Sequence, residues 1–166
     1  MAGAESRIVR IVDLLLLVAQ RVAEVSLGIM AIVMAIDVVG RYLFNRPLNG
    51  SDEFIGSLLL LVFFAGIPLA TRTGEHVTID LVTSALTERA QRWQQAAGNL
   101  IAAGISLLLM AAAWRKASEL ARHGDVSLVM GIPQAPLYYF ASTMLALNVL
   151  VILAVIVLSS RRAKDA

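Results

Sequence analysis

The chain has 166 residues, of which 58% are hydrophobic and 16% charged, with a formal net charge of +2. Soluble domains run near 45–50% apolar and about 25% charged; here the excess lies in long runs, so the chain reads as one integral membrane domain with no room for a separate catalytic module. The near-neutral charge gives nucleic-acid binding no support, and the absence of cysteine excludes disulfides, thiolate metal sites, iron–sulfur clusters and cysteine nucleophiles.

The N-terminus does not read as a cleaved signal peptide. Its apolar run is interrupted by Arg10, Asp13, Arg21 and Glu24 and no small-residue cleavage site follows, so insertion rests on uncleaved helices. Residues 5–24 read as an amphipathic helix, with Arg10, Asp13, Gln20 and Glu24 near one face, lying in the headgroup plane. The alternative is the start of a long, tilted first helix. The first span is expected over 25–44. Asp37 lies inside it and Arg41 follows four residues later, the favourable acid-first order for a pair on one helix face. An intramembrane carboxylate is a candidate functional site. With a partner at the right spacing and the end of the span close by, a structural ion pair with Arg41 snorkelling to the interface is the stronger reading.

Residues 45–50, NRPLNG, carry turn chemistry. Ser51 reads as the N-cap of the next helix, with Asp52 and Glu53 in its first turn, where acids suit the positive end of the helix dipole. The second span is expected over 54–71. Its eighteen residues reach about 27 Å, close to the thickness of a bilayer's hydrocarbon. Arg41, Arg46, Asp52 and Glu53 then mark one water interface, and Arg72, Glu75, His76 and Asp80 the other. Pro68 is expected to kink the last turn, Gly66 to admit close helix packing and Gly74 to stop the helix. Residues 76–86 are apolar but too short to span, and are expected to skim the membrane surface.

Thr87 and Glu88 read as the start of the third helix. It is polar to residue 95, apolar over 96–114 and polar again over 115–123. Trp93 and Trp114 stand 21 positions apart, about 31 Å along a helix, which matches two interfacial aromatic belts. Gly124 ends the helix. The loop 125–136 is unusually apolar, so Leu128, Val129, Met130 and Ile132 are expected to be hidden in the interface or against a partner. The fourth span is expected over 137–158, with Tyr138 and Tyr139 as interfacial anchors at its start. The fold class is therefore all-α, an integral membrane protein with four transmembrane helices plus amphipathic interfacial segments. Both termini fall on one side. That side, with the 72–92 connection, holds nine of the fourteen basic residues; Arg41, Arg46, Arg115, Lys116 and Arg122 make five on the other. The positive-inside rule places the termini in the cytoplasm of an inner membrane.

Catalytic chemistry is sparse. The two histidines, His76 and His123, fall in connections on opposite faces, which disfavours a transmembrane haem and offers too few ligands for a metal. No phosphate-binding glycine loop, nucleophile elbow or carboxylate dyad is present. His76 and Asp80 can pair on one helical turn, better read as an interfacial cap than as a proton relay. No cofactor and no enzymatic activity are expected. The apolar parts of the second, third and fourth spans are almost free of ionisable groups, whereas carriers place polar groups or broken helices at mid-membrane. That favours a helper subunit. A small autonomous proton-coupled carrier using Asp37 is the alternative, and a membrane anchor of a redox enzyme a third reading.

The stretch from Arg41 to Asp80 resembles the small membrane subunit of tripartite ATP-independent periplasmic (TRAP) transporters, the DctQ-like family. The resemblance is carried by Arg41, Tyr42, Phe44 and Asn45 closing the first span; by Ser51, Asp52 and Glu53 opening the second; by Gly66 and Arg72; and by His76, Val77, Ile79 and Asp80. Gly131 and Pro133 before the last span extend it. Gly50 stands where the family often has Trp. The resemblance implies a four-helix scaffold beside a large membrane subunit that carries out sodium-coupled transport. A periplasmic binding protein would deliver an organic acid, often a carboxylate. It also implies that Arg41, Ser51, Asp52, Glu53, Arg72, His76 and Asp80 contact those partners or membrane phospholipid.

Overall fold

The computed structural model describes residues 2–73 and 88–162. Four helices make it up: α1, Ala2–Leu43; α2, Ser51–Thr73; α3, Glu88–His123; and α4, Ala135–Arg162. Each contains a stretch long and apolar enough to cross a bilayer, and no strand occurs among the described residues. The expected surface segment 76–86, with His76, Asp80, Gly74 and Thr87, lies outside the described residues.

The helices pack in the order α1, α2, α4, α3. The short turn 44–50 makes α1 and α2 antiparallel neighbours, and the loop 124–134 does the same for α3 and α4. Contact between α2 and α4 joins the two pairs. The core cluster lies at that junction and comprises Leu16 and Ala19 of α1, Ala65 of α2, and Met144, Leu147 and Val151 of α4. Half of the α4 span is buried against 11% for α1 and α3, so α4 is the central helix.

Lipid tails are as apolar as leucine, so burying leucine between spans gains little; close backbone approach and interhelical hydrogen bonds matter more. Ala19, Ala65, Ala117 and Ala141 are fully buried and supply the close approaches. Gly66 does not: a Cβ built on it meets nothing within 4 Å. The small residue at that contact is its neighbour Ala65. Helix α2 runs on past the buried Pro68 to Thr73.

The structure differs from the sequence expectation most in α1. Residues 5–24 and 25–44 form one unbroken helix through Leu43 rather than an interfacial helix followed by a span. Nothing between them breaks a helix, and Gln20 and Arg21 both bond Glu24 in the turn just before the junction at 2.8 and 2.7 Å. One face of 12–23 packs into the bundle: Leu16 and Ala19 belong to the core, and Val12 and Ala23 pack against it, while Leu14, Leu17 and Val18 stay exposed.

Candidate functional site

The α1–α2 turn is built around Asp37. The end of α1 closes on Gly40, whose carbonyl accepts from the Phe44 and Arg46 amides at 3.2 and 2.9 Å. Asn45 takes the left-handed conformation this reversal needs (φ 54°). A Cβ on Gly40 would stand 2.8 Å from the Arg46 carbonyl oxygen, so only glycine lets the chain fold back here. Asp37 is 7% exposed. Its Oδ2 accepts from the Arg41 guanidinium at 2.7 Å and its Oδ1 from the Leu48 amide at 2.8 Å, with the Ser51 hydroxyl beside it. The carboxylate thus ties helix to turn.

The helix cap falls one residue earlier than expected. The Gly50 carbonyl accepts the first α2 bond, from the Phe54 amide at 3.1 Å, and Ser51 begins the helix facing Asp37. Gly50 has φ +84°, and a Cβ there would lie 2.5 Å from Met130 Cγ. The missing side chain is the room that the α3–α4 loop occupies.

That loop is held by Glu53. Both carboxylate oxygens accept the Val129 amide at 3.1 Å, and Oε2 also accepts the Met130 amide at 3.1 Å. The loop is a tight excursion. Gly124 (φ +68°) ends α3, with the Asp125 amide on the Leu120 carbonyl at 3.1 Å, a Schellman-type closure. A single antiparallel bridge joins Val126 to Pro133, and the Ile132 amide donates to Ser127 Oγ at 3.0 Å. Among the loop's apolar residues only Ile132 is half-buried. Leu128 is 99% exposed, and Val129 and Met130 are exposed beside it, so within this chain they stay uncovered. Between the loop, the start of α2 and the start of α4 lies an open cleft of about 290 Å³ that includes Glu53, Ser57, Gln134 and Tyr138.

At the opposite end Arg72 pairs with Asp13 at 2.8 Å, linking the end of α2 to α1. Asp52 is exposed. Trp93 lies on α3; Trp114 is exposed and meets the Tyr139 ring edge-on at 5.1 Å. His123 is exposed, its Nδ1 2.9 Å from the Glu119 carbonyl oxygen. No group of His, Asp and Glu suited to a metal occurs among the described residues.

Three features went unread in the sequence. Asn148, 2% exposed, holds three helices together: its Nδ2 donates to Ser106 Oγ of α3 at 2.9 Å, and its Oδ1 accepts from Thr71 Oγ1 of α2 at 2.6 Å. The signal was its being the one amide in the fourth span. The Asp13–Arg72 pair and the Arg21–Glu24 pair had no signal beyond charge, because their significance depends on how α1 is placed.

A family described as "Tripartite ATP-independent periplasmic transporters, DctQ component" matches residues 30–162. The chain belongs to this family. It is thus a DctQ-type component of a TRAP transporter and a multi-pass membrane protein, and the family is one of transporter components rather than enzymes. No curated protein sequence and no solved structure matches it. The DctQ match takes in Asp37, Arg41, the Ser51–Glu53 cluster, Arg72 and Asn148. It leaves out Asp13, which pairs with Arg72, and Leu16 and Ala19, which complete the core.

Proposed function

We propose that the chain is the scaffold subunit of a TRAP-type secondary transporter. It assembles with a large membrane subunit and a periplasmic binding protein for sodium-coupled uptake of an organic acid, a carboxylate being the expected class. The observation that carries this reading is how the buried polar groups are spent. Asn148, Ser106 and Thr71 satisfy one another, Ser142 donates to the Met110 carbonyl at 3.2 Å, and Asp37 is taken by Arg41 and Leu48. Among the described residues no buried side-chain nitrogen or oxygen lacks a partner. A carrier must keep polar groups at mid-membrane for its cargo; these are committed to holding helices together. Broad apolar faces on α1 and α3 stay exposed, surface on which another membrane protein can pack.

The charged ends, with Arg41, Ser51, Asp52 and Glu53 at one and Arg72, His76 and Asp80 at the other, set the chain's position against headgroups and partners. Trp93, Trp114, Tyr138 and Tyr139 anchor it at the two interfaces. The excess of basic residues on the side of the termini supports a cytoplasmic position for that side. Leaving out Arg21, which lies along α1 between Ala19 and Ala23 and so level with the core, eight remain there against five.

The tagged chain, co-expressed with its large subunit and extracted in mild detergent, is expected to bring that subunit with it. Glu53→Ala, which frees the α3–α4 loop, and Arg72→Ala, which frees Asp13, should lower the recovered complex without blocking insertion. Recovery of the chain alone, with no larger membrane protein at any detergent strength, contradicts the reading.

A further inference from the structure

The charges of α1 do not all lie at its ends. Arg21 pairs with Glu24 at 2.7 Å, and Gln20 Nε2 donates to the same carboxylate at 2.8 Å. The pair is open to the outside, with 69% of the Arg21 side chain and 45% of the Glu24 side chain exposed. Contacts fix its depth. Ala19 shares the core with Ala65 of α2 and with Met144, Leu147 and Val151 of α4, and Ala23 packs against the same cluster. The Asp13–Arg72 pair marks the end of the α2 span, where its apolar run meets charge. From Asp13, Arg21 lies about 12 Å and Glu24 about 16 Å further along the helix. In a hydrocarbon layer about 30 Å thick that is close to the midplane.

A lipid-facing cluster at this depth is unfavourable. Acyl chains offer no hydrogen bonds, and ionisable side chains within spans face protein or a water-filled cavity. Mutual pairing lowers the cost without removing it, because a guanidinium carries five N–H donors and Glu24 is the partner of one nitrogen. Snorkelling does not resolve it either, since the distance to the Asp13 level exceeds the reach of an arginine side chain. Leu14, Leu17, Val18 and Val25 around the cluster are also exposed, giving a polar centre in an apolar surround.

We propose that Gln20, Arg21 and Glu24 form an intramembrane contact with a helix of the large membrane subunit, one that presents a hydrogen-bond acceptor such as a carboxylate or carboxamide at the same depth. The inference rests on the scaffold reading and adds to it where on the chain the subunit sits. All three residues precede the segment that the family match covers.

The test uses the full chain co-expressed with its large subunit. Three tagged forms are compared: wild type, the Arg21→Leu/Glu24→Leu double variant, and Lys116→Leu/Glu119→Leu, which removes the exposed 3.3 Å pair on the α3 extension. The recovered large subunit is expected to fall several-fold for the α1 double variant and to hold for the α3 control. Equal recovery with the α1 variant overturns the proposal. So does retention of the large subunit together with loss of bound anionic phospholipid, which would make lipid the occupant. Failure of wild type to bring any large subunit overturns the scaffold reading itself, and the proposal with it. If the α1 double variant does not accumulate, a single cysteine decides. The chain has no cysteine of its own, and Val25→Cys labelled with a thiol-reactive benzophenone should photocross-link to C–H bonds of the large subunit within the membrane; no cross-link there overturns the proposal.

Discussion

Three positions carry local structure that substitution will expose. Asp37 accepts one charged and one backbone donor while nearly buried. Asp37→Ala leaves the Leu48 amide without its acceptor, and an unpaired buried group costs about 1–3 kcal/mol. Asp37→Asn keeps an oxygen for that amide and loses the charge and the acceptor for Arg41, a half-exposed partner that water can serve. Thermal unfolding in detergent should therefore rank wild type above Asp37→Asn above Asp37→Ala; an Asp37→Ala chain as stable as wild type would remove Asp37 from the turn's support. Gly40 is required by the Arg46 carbonyl. Gly50 is constrained twice, by φ +84° and by the Met130 side chain in the space of its Cβ. Gly50→Ala should cost about 1–3 kcal/mol for the backbone conformation and loosen the α3–α4 loop, seen as faster amide exchange at Val129 and Met130. Unchanged exchange there would contradict the contact.

Among the elements, the spans themselves were legible because their signal is bulk hydropathy, which survives any packing. The ends of α3 were legible for a related reason: Glu88 and Gly124 are local stop-and-start chemistry. Packing was not legible. Residues 5–24 have the same polar periodicity whether they lie on a membrane or pack into a bundle, and only Leu16 and Ala19 against Ala65 distinguish the two. Gly66 carried the usual mark of a close approach, yet Ala65 one position away faces the neighbour. Asn148 stood in an apolar run without visible partners, because Ser106 and Thr71 reach it only through the α3–α4 and α2–α4 contacts. Interhelical hydrogen bonds in membranes average about 0.6 kcal/mol, so Asn148→Leu should destabilise the bundle by roughly 1 kcal/mol. Unfolding in mixed micelles measures it, and a more stable Asn148→Leu chain would show that the tie serves something other than cohesion.

At the scale of the molecule, the bundle is an open one. Helix α4 is the hub, α1 and α3 sit on the outside, and much of their apolar surface faces away from the chain. The buried polar groups are consumed in holding the four helices, while the Arg21–Glu24 pair and the apolar residues of the α3–α4 loop face outward. That division fits a DctQ component whose work lies at its surfaces. The family was readable from the order of charged and glycine positions between Arg41 and Asp80, because those positions mark span ends and turns. Where partners bind was not, since an outward-facing charge looks the same in sequence as a solvated one. The most direct test is uptake of a labelled carboxylate into vesicles under a sodium gradient, with the periplasmic binding protein added. Vesicles holding this chain alone should take up nothing, and vesicles holding it with its large subunit should accumulate the label. Sodium-driven accumulation by the lone chain would contradict the account.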